Sequence, residues 1–217
     1  MDKKTILKLN DYILNKIMNF AEYYKNENVF ETSFANWNVR DVIAHINSWL
    51  KFSEDKLESI KLKKSFEDVG HVDIEIFNKN NYEINKNKSL KNVLDDSVTL
   101  LEKYKHILGL FNEDELLSNK FPTGFSFQLW KYMAMDLGIH PLMHILYYYL
   151  KKHDYNEFVN EIINSKKYFM EYSGNNMNEY NFNDFFENKR EKVEKFKKLM
   201  EVNNNEIIKE IVNINLL

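Results

Sequence analysis

The sequence predicts an all-α protein, and three observations carry the prediction. Glycine and proline are scarce, with Gly 5 and Pro 2 in 217 residues. Sheets need many turn residues, whereas a few long helices need hardly any. Apolar residues make up 44 % of the chain and aromatics 15 %, enough for a substantial core and too much for a disordered chain. Apolar positions recur at steps of three and four through several long stretches, the spacing of one helical face.

The first helix is expected over residues 3–25, with Ile6, Leu9, Ile13, Ile17 and Phe20 facing inward. "KNENVFETSFANW" breaks the pattern. A second helix opens at "NVRDVIAHINSWLKFSEDKLESIK", with Asn38 as N-cap and Asp41 at the third helical position, a capping-box-like start. Its inward stripe reads Val42, His45, Ile46, Trp49, Phe52 and Leu57. A loop and a short helix near residues 72–84 follow. Ser89 then caps a third long helix with Leu90, Val93, Leu94, Leu101, Tyr104 and Leu108 inward. A connection containing Pro122 and Gly124 leads to a fourth long helix, from about Phe127 to His153. It places Trp130, Met133, Leu137, His140, His144 and Tyr148 on its inner face. Four long amphipathic helices suggest a four-helix bundle with additional C-terminal helices. The expected division is a bundle over 1–155 and a helical extension over 156–217, packed on or beside it.

Charge and composition narrow the function classes. The net charge is −3, from 30 basic and 33 acidic residues with no basic stripe, so nucleic acid is not expected as a partner. There is no cysteine, which excludes disulfides, thiolate metal sites and cysteine nucleophiles. No apolar run reaches membrane-spanning length and the N-terminus has no long apolar segment, so no membrane is expected and the cytoplasm is the default location.

The chemistry concentrates in "DLGIHPLMHILYYYLKK". His140 and His144 stand one helical turn apart, where two imidazoles can converge on one ion. His45, on the inward face of the second helix, is the candidate third ligand. Three nitrogen ligands leave positions open for water or substrate, the mark of a catalytic rather than a structural site. Asp41 lies four residues before His45 and Asp136 four before His140. Either could orient a ligating ring or act as a base, and Asp136 could itself be a fourth ligand. The competing reading is a set of core histidines satisfied by tyrosines and carboxylates. The pair is not a zincin motif, because Pro141 stands where that motif has its glutamate. Pro141 removes one helical hydrogen bond and clashes with the preceding turn, a strain that persists more readily where it shapes a site. His71, His106 and His153 receive no catalytic role.

"WNVRDVIAHINSWLKFSED" resembles the Trp-x-[Val/Ile]-[Lys/Arg]-Asp-[Val/Leu]-[Ile/Leu]-Ala-His-[Ile/Leu]-x-x-Trp motif of ClbS/DfsB-like proteins. "VDIEIFNKNNYEINKNKSLKNVLDDSVTLLEKYKHIL" is similar to their second block, through Asn78, Tyr82 and the Ser-Leu helix start. The likeness spans roughly residues 3–155 and extends to the wider DinB-like (YfiT-type) superfamily of four-helix bundles. It implies a divalent metal ion (Zn, Ni, Fe or Mn) held by His45, His140 and His144, and metal-assisted hydrolysis or thiol-dependent transfer on a small-molecule substrate. Trp49, Asn78, Tyr82, Met133 and Tyr148 are the candidate substrate-binding residues. Many ClbS/DfsB-like members keep one histidine in the last block and need no metal. Their activity implies a second reading, self-protection by opening a reactive electrophile, in which Asn78 and Tyr82 matter more. A third reading is non-enzymatic: dimerisation or partner binding through "FNDFFENKREKVEKFKKLM".

Overall fold

The structure is a computed structural model. It describes residues 1–27, 33–34, 36–62, 73–118 and 128–172. His71, the connection with Pro122 and Gly124, and the expected helices beyond residue 172 lie outside the described residues, "FNDFFENKREKVEKFKKLM" among them. The described residues are all-α, with α1 Lys3–Tyr23, α2 Val39–Lys61, α3 Ile74–Asn85, α4 Leu90–Gly109 and α5 Glu113–Leu117. These are followed by α6 Leu129–Ala134, a π-helical turn at Met135–Ile139, α7 His140–Lys152 and α8 Tyr155–Tyr172. The chain forms two compact units, Met1–Ile145 and Leu146–Leu217. No helix among the described residues is long and apolar enough to cross a membrane.

In the first unit, α4 packs against both α1 and α2, and α6 with the π turn closes against α1. This is a helical bundle, with α3 laid on α2 as an added layer. The stripe expected on α1 is fully buried at Ile6, Leu9, Ile13, Ile17 and Phe20. Burying each such side chain contributes about 1.5–3 kcal/mol. The start of α2 follows the expected chemistry: Asn38 Oδ1 accepts from Asp41 N at 2.9 Å, and Asp41 Oδ2 accepts from Asn38 N at 3.1 Å. Buried polar side chains fix the helices against one another. Asn10 Nδ2 donates to the Leu101 carbonyl at 3.1 Å, and Asn47 Nδ2 to the Val93 carbonyl at 2.8 Å. Ser97 Oγ in turn donates to Asn47 Oδ1 at 2.8 Å. Each bond satisfies a group that would be costly to bury alone.

The structure departs from expectation in three places. On α4, Leu90 and Leu94 are part-exposed, and Ser97 and Ile107 take places in the buried face. On α2, Trp49 and Phe52 turn out of the bundle core, and their rings meet Phe77 of α3 at 4.6 Å and 5.5 Å. Leu50 occupies the core instead. The expected fourth helix is broken into α6, the π turn and α7. In the second unit, α7 ends with His153 at φ 61 and Asp154 N donating to the Tyr149 carbonyl at 2.9 Å, a Schellman-type stop.

Candidate metal centre

Three imidazoles meet in the first unit. His45 comes from α2, and His140 and His144 from successive turns of α7. His45 Nε2 lies 3.0 Å from His144 Nε2, which lies 2.9 Å from His140 Nε2. All three offer a ligand nitrogen within 4.8 Å of the others. His45 is buried and the other two are partly so.

Local chemistry explains the placement. An N-cap fixes where α2 begins and hence which face carries His45. The π turn does the corresponding work for His140, whose N–H donates to the Met135 carbonyl five residues back. Pro141 follows directly. A proline ring clashes with the carbonyl four residues earlier and supplies no N–H. The wider turn relieves that clash, so proline and π turn fit one another, and π turns are frequent at functional sites. The helix is thereby broken just before the histidine pair, while both histidines sit on regular α-helix.

The donor set suits an ion. Two nitrogens about 2.1 Å from one ion are about 3.4 Å apart in a tetrahedral site and about 3.0 Å apart at right angles, and both separations fall at the right-angled, octahedral end of that range. An imidazole nitrogen has one in-plane site, either an N–H or a lone pair. His144 Nε2 has two nitrogen partners, so without an ion one site is shared between two neighbours. With an ion at the centre, each ring directs its lone pair to the same point. Burial pushes His45 down to about 3, helped by the charge of His140, and burial alone pushes His140 down to about 4. Both rings are neutral at pH 7, the form that ligates. The cluster is able to hold a divalent metal ion.

Around the cluster, Trp37 lies over His45 with ring centroids 4.7 Å apart and stands 6.4 Å from His144. Sequence reasoning passed over Trp37 as a site residue because it precedes α2 and belongs to no helical stripe. Trp49 stands 6.0 Å from the His140 ring and donates its Nε1–H to Asn78 Oδ1 at 3.0 Å. Asp41, Asn78 and Tyr82 line a small space beside His45, with room for about one water. Asp41 accepts from the Asn38 backbone on one oxygen and from Arg40 on the other, at 2.7 Å from Nη2.

Asp136 is set elsewhere. Desolvation raises its pKa to about 6, while the Ser53 and Tyr132 hydroxyls and the Lys56 ammonium pull it back down. His140 Nδ1 is buried with no hydrogen-bond partner among the described residues, so Asp136 does not orient that ring. Met133 is fully buried, and its carbonyl accepts from the Tyr104 hydroxyl at 3.4 Å. Tyr148 belongs to the second unit.

No family model, no curated protein and no solved structure matches the chain. The reading of function therefore rests on the site.

Proposed function

We propose that this chain is a metal-dependent enzyme acting on a small molecule in the cytoplasm, a hydrolase or thiol-dependent transferase of the DinB-like kind with ClbS/DfsB-like motifs. The single observation that carries the reading is the convergence of three Nε2 atoms from two helices. His45, His140 and His144 would hold the ion, one of zinc, nickel, iron or manganese, since imidazole serves several of them. A divalent ion there supplies Lewis acidity and lowers the pKa of water toward about 7. The chain's own residues do the rest. Trp37 covers His45 and limits water around it. Trp49 holds Asn78 in place through its indole N–H, so the amide presents a fixed edge to the space beside His45. Asp41 lines that space and is the carboxylate placed to take up a proton there, on release of one of its two partners.

Metal analysis of tag-free protein tests this. About one equivalent of a divalent metal per chain is expected, and His140→Ala should lose it while circular dichroism stays helical. Absence of metal after reconstitution overturns the reading. Asn78 and Tyr82 beside His45 favour one second reading, metal-free opening of an electrophilic ring in self-protection. Ring-opened product formed by metal-free protein from an electrophilic DNA-alkylating compound would select it.

A further inference from the structure

A groove of about 430 Å³ runs between α2, α3 and α4, within the usual size of small-molecule sites. Ala44, Asn81 and Asn85 line both this groove and the small space beside His45, so the two adjoin. The groove's lining chemistry is specific. Asn81 Nδ2 donates to the Phe77 carbonyl at 2.8 Å, and Asn85 Nδ2 to the Asn81 carbonyl at 2.7 Å. Each amide has thus turned one N–H onto its own helix, leaving Oδ1 as an acceptor and the second N–H as a donor. Ser48 and Thr99 do the same with their hydroxyls, donating to the Ala44 and Asp95 carbonyls at 2.9 Å and 3.0 Å. What these four side chains offer a ligand is oxygen lone pairs together with one N–H from each amide, the complement of a peptide edge.

The charges along the groove answer one another. Lys51 pairs with Asp55 and Glu54, Lys103 with Glu54, and Lys88 with Asp96. A strongly charged ligand gains little there. Phe52 and Phe77, with rings 5.5 Å apart, supply an apolar wall. Spacing then selects the ligand. Asn81 and Asn85 are one turn apart, a rise of about 6 Å. In an extended amide chain the N–H groups on one edge recur every two residues, about 6.7 Å.

We propose that this groove binds a peptide-like, net-neutral amide chain, whose N–H edge pairs with Asn81 and Asn85 and whose apolar side group rests on Phe52 and Phe77. One end of the chain is directed at the three-histidine site. The proposal rests on the metal-enzyme reading and names its substrate class.

The test titrates metal-free and zinc-loaded full-length protein with N-acetylated, C-amidated Gly-Phe-Gly and Gly-Ala-Gly. The Asn81 and Asn85 side-chain NH₂ resonances are followed by NMR together with the backbone amides of α2, α3 and α4, which also report binding where those side chains are replaced. Saturable shifts at both are expected, with tighter binding of the phenylalanine peptide. The double variant Asn81→Ala/Asn85→Ala should weaken binding at least about tenfold, the loss of roughly one good hydrogen bond. Alanine favours a helix, so this variant keeps its fold and its metal content. Shifts absent up to about 10 mM peptide, where even very weak binding is visible, overturn the proposal. So does unchanged binding by the double variant, or an equal response to methyl glucoside, which has hydroxyl donors and no amide. Peptide binding by a chain that takes up no metal keeps the groove's ligand class and removes the metal reading. Metal uptake without peptide binding does the reverse.

Discussion

A Cβ built on Gly138 would lie 2.4 Å from Leu9 Cδ2 and 2.6 Å from Leu9 Cγ. Leu9 is fully buried, so its side chain has nowhere to retreat. The glycine is what lets α1 approach the π turn that precedes the histidine pair. Gly138→Ala should destabilise the protein by about 1–3 kcal/mol through overpacking, partly offset by the better helix propensity of alanine. Adding Leu9→Ala should return part of that loss, so the double change costs less than the two single costs combined. Urea unfolding of the four proteins measures this, and strict additivity would refute the close approach. At this scale the site was partly legible. The three histidines show in the sequence because two are one turn apart and the third lies on an inward stripe. The surroundings of Asp136 were not legible, because Ser53, Tyr132 and Lys56 reach it from elsewhere in the chain. Trp37 carries no periodic signal, since it lies before the first turn of α2.

Among the elements, α1 was readable almost residue for residue, because a single buried stripe dictates its face. The cap of α2 was equally readable, since Asn38 and Asp41 satisfy each other's backbone N–H groups locally. The interruption of the last bundle helix was not. Proline signals a disturbance, but sequence does not tell a kink from a wider turn, because the choice depends on how α1 and α2 pack on that segment. The π turn can be tested through Pro141. Replacing it with alanine removes the clash that favours the wider turn and gains up to about 3 kcal/mol of helix propensity. Pro141→Ala should therefore raise the melting temperature. It should also weaken metal binding by tenfold or more, because reverting to α-helical winding rotates α7 relative to α6 and moves the histidine pair away from His45. Competition with a chelating dye gives the affinity. A rise in melting temperature with unchanged affinity would show that the π turn has no part in aligning the rings.

For the molecule as a whole, the buried ionisable groups pull stability in opposite directions as pH falls. His45 and His140 have folded pKa values of about 3 and about 4, below the 6.5 of the unfolded chain. Between those values the unfolded state binds more protons, so stability is lost as pH drops below about 6.5. Asp136 does the opposite. Its folded pKa of about 6 lies above the 3.8 of the unfolded chain, so the folded state binds the proton first and gains stability over that window. At about 1.4 kcal/mol per pH unit, each histidine costs about 2–3 kcal/mol by pH 4.5 and Asp136 returns about 2 kcal/mol. The histidines win, and the metal-free protein should lose about 3 kcal/mol between pH 7 and pH 4.5. Asp136→Asn removes the opposing contribution and should steepen the loss, whereas His140→Ala should make it shallower. Denaturant unfolding at the two pH values separates these slopes from any change in stability that is the same at both. An Asp136→Asn slope equal to that of the parent would mean that the carboxyl does not titrate in the folded core. In metal-loaded protein the loss should be steeper still, since protons compete with the ion for the same ring nitrogens.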